Sequence, residues 1–220
     1  MERRTEKLIQ DIQEQLKFYA QLGVEFIPSP PSRETISSPS LEKRILECRR
    51  CPLWGERKNA VPGEGDIEAD LMFVGEAPGR DEDIQGRPFV GKAGQLLTRI
   101  IEAMNFRRDE VYITNVIKCR PPHNRNPRRE EIEKCQGYLL EQIKMINPQV
   151  IVSLGKVATE FFTQSRLSIS ALRGKFHPYG SIKIMPTFHP SYIVRNEENR
   201  KIKKMVWEDM KEVMALLGKK

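Results

Sequence analysis

Residues 71–94, LMFVGEAPGRDEDIQGRPFVGKAG, decide how the rest of the chain is read. Leu71, Met72, Phe73 and Val74 form an apolar run of strand length, and residues 75–94 then hold five glycines, two prolines and four acidic residues. Glycines in such a loop permit positive φ or a close backbone approach that a Cβ would obstruct. Behind the loop, Leu96, Leu97, Ile100, Ile101 and Met104 recur at helical spacing and predict a helix over 91–105. Strand, long glycine-rich loop and helix together offer backbone N–H groups and a helix N-terminus to an anionic ligand. A nucleotide fingerprint is absent: a dinucleotide site requires G-x-G-x-x-G and a P-loop ends in Gly-Lys-Ser/Thr, whereas Gly91-Lys92-Ala93 supplies neither.

Working outward, strands are predicted at 71–75, 111–116, 150–154 and 182–187, with helices at 91–105, 128–146 and 156–163 and a final one ending near Leu217. Strands alternating with helices predict an α/β fold whose central, mostly parallel four-stranded sheet is covered on both faces. Ligands of such sheets sit outside the carboxyl ends of the strands. Those ends carry Gly75-Glu76, Thr114-Asn115 and Phe188-His189-Pro190-Ser191, so polar groups converge on one edge. Toward the amino terminus, residues 1–26 place Leu8, Ile9, Ile12, Leu16 and Tyr19 on one stripe of an amphipathic helix. Residues 27–40, IPSPPSRETISSPS, contain four prolines and five serines and read as a linker, leaving 41–220 as the main domain.

The 220 residues suit one domain plus an appendage, and 37 Lys and Arg against 30 Asp and Glu leave a net charge of +7, which favours a polyanionic partner. No apolar run reaches membrane-spanning length and MERRTEKLIQ lacks a signal-peptide core, so an intracellular, cytoplasmic or nucleoid protein is expected. In that setting the four cysteines, Cys48-Arg-Arg-Cys51, Cys119 and Cys135, suit a metal or cluster site better than disulfides. Four thiolates fit either tetrahedral zinc or a [4Fe-4S] cluster, and spacing leaves both open. Residues 118–129 are basic with no acidic residue, which suits phosphate contacts or simply a solvated surface. Taken alone, Phe89 reads as a core aromatic, Asn115 as a turn residue or helix cap, and His189 as a loop histidine.

Four features, GEAPGRDEDIQGRPFVGKAG, Asn115 within YITNVIKCRPPHNRNP, the cysteine set and HPSYIVR at 189–195, closely resemble the family 4 uracil-DNA glycosylases over about residues 41–217. The resemblance implies a three-layer α/β/α sandwich and a DNA repair enzyme that hydrolyses the N-glycosidic bond of deoxyuridine in single- and double-stranded DNA. It implies a structural [4Fe-4S] cluster on Cys48, Cys51, Cys119 and Cys135, with zinc the lesser alternative. Uracil would lie against Glu76, Ala77, Pro78, Phe89, Asn115 and His189. Phe89 would stack on the flipped base, Asn115 would read its edge, and His189 would hydrogen-bond O2 as charge develops. DNA would be gripped by Lys118, Arg120, Arg125, Arg128, Ser191 and Arg195. Ala77 stands where family 1 relatives carry an aspartate, leaving Glu76, Asp81, Glu82 and Asp83 as candidates to assist water, with Glu76 placed in the catalytic set. Two rivals remain: a non-catalytic iron–sulfur module that binds nucleic acid, and a relative that traps DNA through His123, although the longer loop of that subgroup is absent. A monomer is expected, and no short motif supports a clamp or polymerase contact.

Overall fold

The computed structural model describes residues 38–219, and the helix and most of the linker expected at 1–40 lie outside them. The first described helix, α1 (Ser38–Leu46), takes in the last three residues assigned to the linker. Six strands follow: β1 (Glu64–Gly65), β2 (Leu71–Gly75), β3 (Tyr112–Asn115), β4 (Val150–Leu154), β5 (His177–Tyr179) and β6 (Ile182–Thr187). They form one sheet in the order β1-β3-β2-β4-β6-β5. The inner four are parallel, with Met72 opposite Tyr112 and Ile151, and Val152 opposite Met185. These are the four strands predicted. The expected four-stranded sheet is corrected to six because β1 and β5, of two and three residues, cap its edges in antiparallel fashion. Elements so short carry no readable periodicity.

Side-chain alternation makes the three layers. Met72, Val74, Ile151 and Ile184 point to one face and pack with Leu41 and Ile45 of α1, Leu139 and Ile143 of α4 (Arg129–Ile146), and Ala158 and Phe162 of α5 (Gly155–Thr163). Leu71, Phe73, Val150, Val152 and Met185 point the other way, onto Leu97 and Ile101 of α3 (Lys92–Ala103) and Met210 and Val213 of α8 (Arg200–Leu216). Sheets buried on both faces need apolar residues at consecutive positions, which is why LMFV and VIV are unbroken runs, and the one buried hydroxyl of β4, on Ser153, is paired with Thr159 Oγ1 at 2.9 Å.

The glycine-rich loop departs from expectation by containing a short helix, α2 (Arg80–Gln85), with Asp81, Glu82 and Asp83 in its first turn, where negative charge complements the helix dipole. Two more short helices follow β4 and β6: α6 (Ile169–Leu172) and α7 (Pro190–Arg195), the latter with proline at a position where its missing N–H costs nothing. No helix among the described residues is long and apolar enough to cross a membrane.

Candidate active site

The carboxyl ends of β2, β3, β4 and β6 open into one cleft of about 610 Å3, lined by Glu76, Ala77, Pro78, Glu82, Phe89, Asn115, Arg125, Gly155, Lys156, Phe188, His189, Ser191, Tyr192 and Arg195, among others. Two glycines allow its side chains to converge. A Cβ on Gly75 would come within 2.4 Å of Asn115 Oδ1 and 2.5 Å of Phe89 Cζ, so only glycine lets amide and ring meet at the end of β2. Gly155 has φ +84, and a Cβ there would stand 2.9 Å from the Cβ of His189.

Phe89 is buried, adopts φ +52, and places its ring centroid 5.7 Å from that of His189 at an interplanar angle of 32°. Left-handed backbone is rare for a bulky residue and marks a conformation imposed by its surroundings. Asn115 is 1% exposed, and its Oδ1 is the one buried side-chain N or O atom among the described residues without a hydrogen-bond partner. A buried acceptor left unpaired costs free energy, and such sites are where a ligand donor is to be sought.

His189 caps the N-terminus of α7. Its Nδ1 accepts the Ser191 backbone N–H at 3.1 Å and lies 2.8 Å from Ser191 Oγ. An acceptor at Nδ1 puts the proton of the neutral ring on Nε2. Burial, with a smaller contribution from the Arg195 charge, lowers the pKa to about 4, so the ring is neutral at pH 7.

Of the four candidate carboxylates, Glu76 lines the cleft, and burial raises its pKa. Asp83 is buried and its Oδ1 accepts the backbone N–H groups of Lys58 and Asn59 at 2.9 and 3.3 Å, so it is a scaffold residue. Asp81 is exposed. Glu82 has both oxygens occupied by backbone N–H groups at 2.9 to 3.1 Å.

Among the expected DNA-binding residues, Lys118 requires correction. It is 1% exposed, with Nζ bonded to Thr114 Oγ1 at 2.6 Å, Asn115 O at 2.8 Å and Gln142 Oε1 at 2.6 Å. Burial lowers its pKa to about 7, against the opposing charges of Cys135 and Cys119. Its position just after the end of β3 turns it inward, and no phosphate can reach it. Arg125 lines the cleft and pairs with Glu131 at 2.5 Å, Arg120 donates to Asn124 Oδ1 at 2.7 Å, and Arg128 and Arg195 are exposed. Ser191 supports His189. His123 is exposed and does not line the cleft. Sequence reading missed Lys156, Asn124, Asn126 and Tyr192 at the cleft wall: Lys156 begins the expected helix at 156–163 and the other three lie within the quoted motifs, but nothing in those segments marks these side chains as facing a ligand.

All four cysteines are free thiols lining one narrow recess, together with Arg50, Arg57, Lys118, Lys134, Trp54 and Tyr138. Arg57 Nη1 donates to Cys119 Sγ at 2.9 Å and the Lys118 backbone N–H to Cys135 Sγ at 3.3 Å. Burial raises the pKa of Cys51 and Cys135 and pushes Cys119 up to about 11. Among the described residues no three Cys, His, Asp or Glu side chains are arranged to hold a single metal ion. The donor chemistry nevertheless suits a thiolate-bound group: four sulfurs, no competing carboxylate lining, and cationic neighbours to balance their charge.

The profile of the uracil DNA glycosylase superfamily matches residues 62–211. A type-4 uracil-DNA glycosylase of Thermotoga maritima is 46% identical over 181 residues, covering 81% of this chain and 94% of its own length. Type-4 enzymes of Saccharolobus solfataricus and Archaeoglobus fulgidus are 46% and 43% identical, covering 80% and 81% of this chain and 84% and 92% of their own. Likeness of this extent, running through both the cleft and the cysteine recess, means that the chain belongs to the uracil DNA glycosylase superfamily and, within it, to the type-4 uracil-DNA glycosylases.

Proposed function

We propose that this protein excises uracil from DNA, hydrolysing the N-glycosidic bond and leaving an abasic site. The observation that carries the reading is the unpartnered Oδ1 of Asn115 in a cleft whose other walls are an aromatic face and a neutral imidazole. Uracil swung out of the helix presents N3–H, which Oδ1 can accept, and O4, which the amide N–H can meet. Cytosine presents the opposite pattern at both positions, so the same amide discriminates against it by leaving buried polar groups unpaired. Phe89 supplies the stacking face.

In the chemical step the C1′–N1 bond breaks, its electron pair passes to uracil N1 and O2, and water adds to C1′. His189, with its proton on Nε2, donates to O2 as negative charge grows there. A neutral donor already in place is worth several kcal/mol in a site shielded from water. Glu76 is the carboxylate in position to steady the cationic sugar and to take the proton of the attacking water. Arg120, Arg125, Arg128 and Arg195 supply sequence-independent phosphate contacts.

Cys48, Cys51, Cys119 and Cys135 would hold a [4Fe-4S] cluster, which when bound would cross-link the segment after α1, the segment after β3 and helix α4. Purified protein should be brown and release iron and sulfide on acidification, while colourless protein with stoichiometric zinc would overturn this assignment.

The decisive measurement is uracil release from single- and double-stranded oligonucleotides, with Asn115→Ala and His189→Ala beside the parent. Abasic product from the parent and its loss in both variants is expected. An inactive parent holding its metal, or variants at the parent rate, would refute the proposal.

A further inference from the structure

Both carboxylate oxygens of Glu82 are occupied by backbone donors. Oε2 accepts the N–H of Gly79 at 3.1 Å, and Oε1 accepts those of Val90 and Gly91, each at 2.9 Å. Gly79 follows Glu76, Ala77 and Pro78, and Val90 and Gly91 follow Phe89, and all four preceding residues line the cleft. One side chain on a six-residue helix therefore ties together the two ends of the loop that forms the pocket.

The residue it adjoins needs such a hold. Phe89 sits at φ +52, and three contacts impose that geometry. Glu82 fixes the N–H groups just after it. Arg108 Nη2 donates to the Pro88 carbonyl just before it at 2.5 Å. Gly94 leaves space beneath it, since a Cβ there would meet the Phe89 carbonyl carbon and oxygen at 1.9 Å. Of the three, only Glu82 also bonds Gly79, at the other end of the loop.

We infer that Glu82 is a positioning residue for base excision: it latches the Gly79 end of the loop to the Val90–Gly91 end and thereby holds the Phe89 ring against Gly75, Asn115 and His189. The inference rests on the excision reading above for its kinetic consequence and on geometry alone for the latch. Without the carboxylate three N–H groups lose their acceptor, and Phe89 is free to leave the left-handed region. The ring then withdraws from the flipped base, slowing the chemical step while phosphate contacts elsewhere persist. Glutamine retains one acceptor oxygen, enough for the Val90 and Gly91 N–H groups, but turns an NH2 toward the N–H of Gly79.

The test uses the metal-loaded protein and single-turnover uracil release. Glu82→Ala should slow release about 30-fold with DNA affinity changed less than about twofold, and Glu82→Gln should recover to within about fivefold of the parent. In a Phe89→Ala background, Glu82→Ala should add less than about twofold, because both changes disable the same contact. Glu82→Ala at the parent rate, Glu82→Gln as slow as Glu82→Ala, or fully multiplicative effects with Phe89→Ala would each overturn the inference. Should Glu82→Ala fail to fold, Glu82→Gln decides by amide hydrogen exchange: Gly79 must exchange at least about tenfold faster than in the parent, and unchanged exchange refutes the latch. A parent that releases no uracil would sink the excision reading, while the exchange measurement would still judge the latch.

Discussion

The cleft, lined by Asn115, and the cysteine recess, lined by Lys118 and Cys119, share one short segment, residues 115–119, and they are built on opposite terms. In the cleft, Asn115 Oδ1 is buried without a partner, Phe89 is held in an unfavourable backbone region and burial keeps His189 uncharged. In the recess, arginine and backbone donors already meet the sulfurs, and the residues come from segments far apart in the chain. Unmet polar capacity belongs where a substrate is to be recognised, and converging donors belong where distant segments must be fastened together. Lys118 spans the two, with its backbone N–H on Cys135 and its ammonium on the Asn115 carbonyl. Cleft variants should therefore lose rate at constant stability, recess variants should lose stability first, and Lys118 variants should lose both.

The largest effect tests the cleft side. His189→Ala should lower single-turnover release by about 100- to 1000-fold, the usual cost of removing one preorganised donor, with little change in melting temperature. A comparable drop in stability would break the contrast. Cys135→Ser should instead bleach the protein and lower its melting temperature by roughly 10 °C, as about 3 kcal/mol does in a domain of this size, measured by calorimetry. The fraction that stays folded should still release uracil.

Lys118→Met is expected to cost about 1–3 kcal/mol, because Asn115 O, Thr114 Oγ1 and Gln142 Oε1 lose a buried donor. It should also erode the preference for uracil over cytosine, whereas a change in stability with discrimination intact would separate the two sites. Smaller still is the pH response. With a folded pKa of about 4 the His189 ring stays neutral as pH falls from 8 to 5, so its contribution to excision should be flat across the range where an ordinary histidine titrates. The sign for stability follows: between about pH 4 and pH 6.5 the unfolded chain binds the extra proton, so this contribution is full above 6.5 and declines toward 4. Arg195→Gln should raise the imidazole pKa, read from its NMR titration, because it removes the second cause of the depression.

Much of this was legible in the chain. The four parallel strands follow from runs such as Leu71–Gly75 and Val150–Leu154, since burial on both faces makes most of their consecutive positions apolar. The placement of Glu76, Phe89, Asn115 and His189 around one cleft matches the expectation from strand ends and motifs. Lys118 was misread because a lysine in a basic run is usually solvated, and its burial depends on Gln142, 24 residues away. Glu82 and Asp83 looked like free carboxylates because their partners are backbone N–H groups, which no side-chain pattern reveals.

Local pattern and motif order thus determined the α/β class, the order of the inner strands' secondary elements, the cysteine set and the residues gathered at the carboxyl edge. These depend on period, burial and residue chemistry, which each position carries by itself. Only the tertiary structure decided that β1 and β5 cap the sheet, that Lys118 faces inward, that His189 holds its proton on Nε2, and that Glu82 joins the two ends of the loop around Phe89. Each of those depends on which donor meets which acceptor across the fold, a property of pairs of residues distant in the chain rather than of any residue alone.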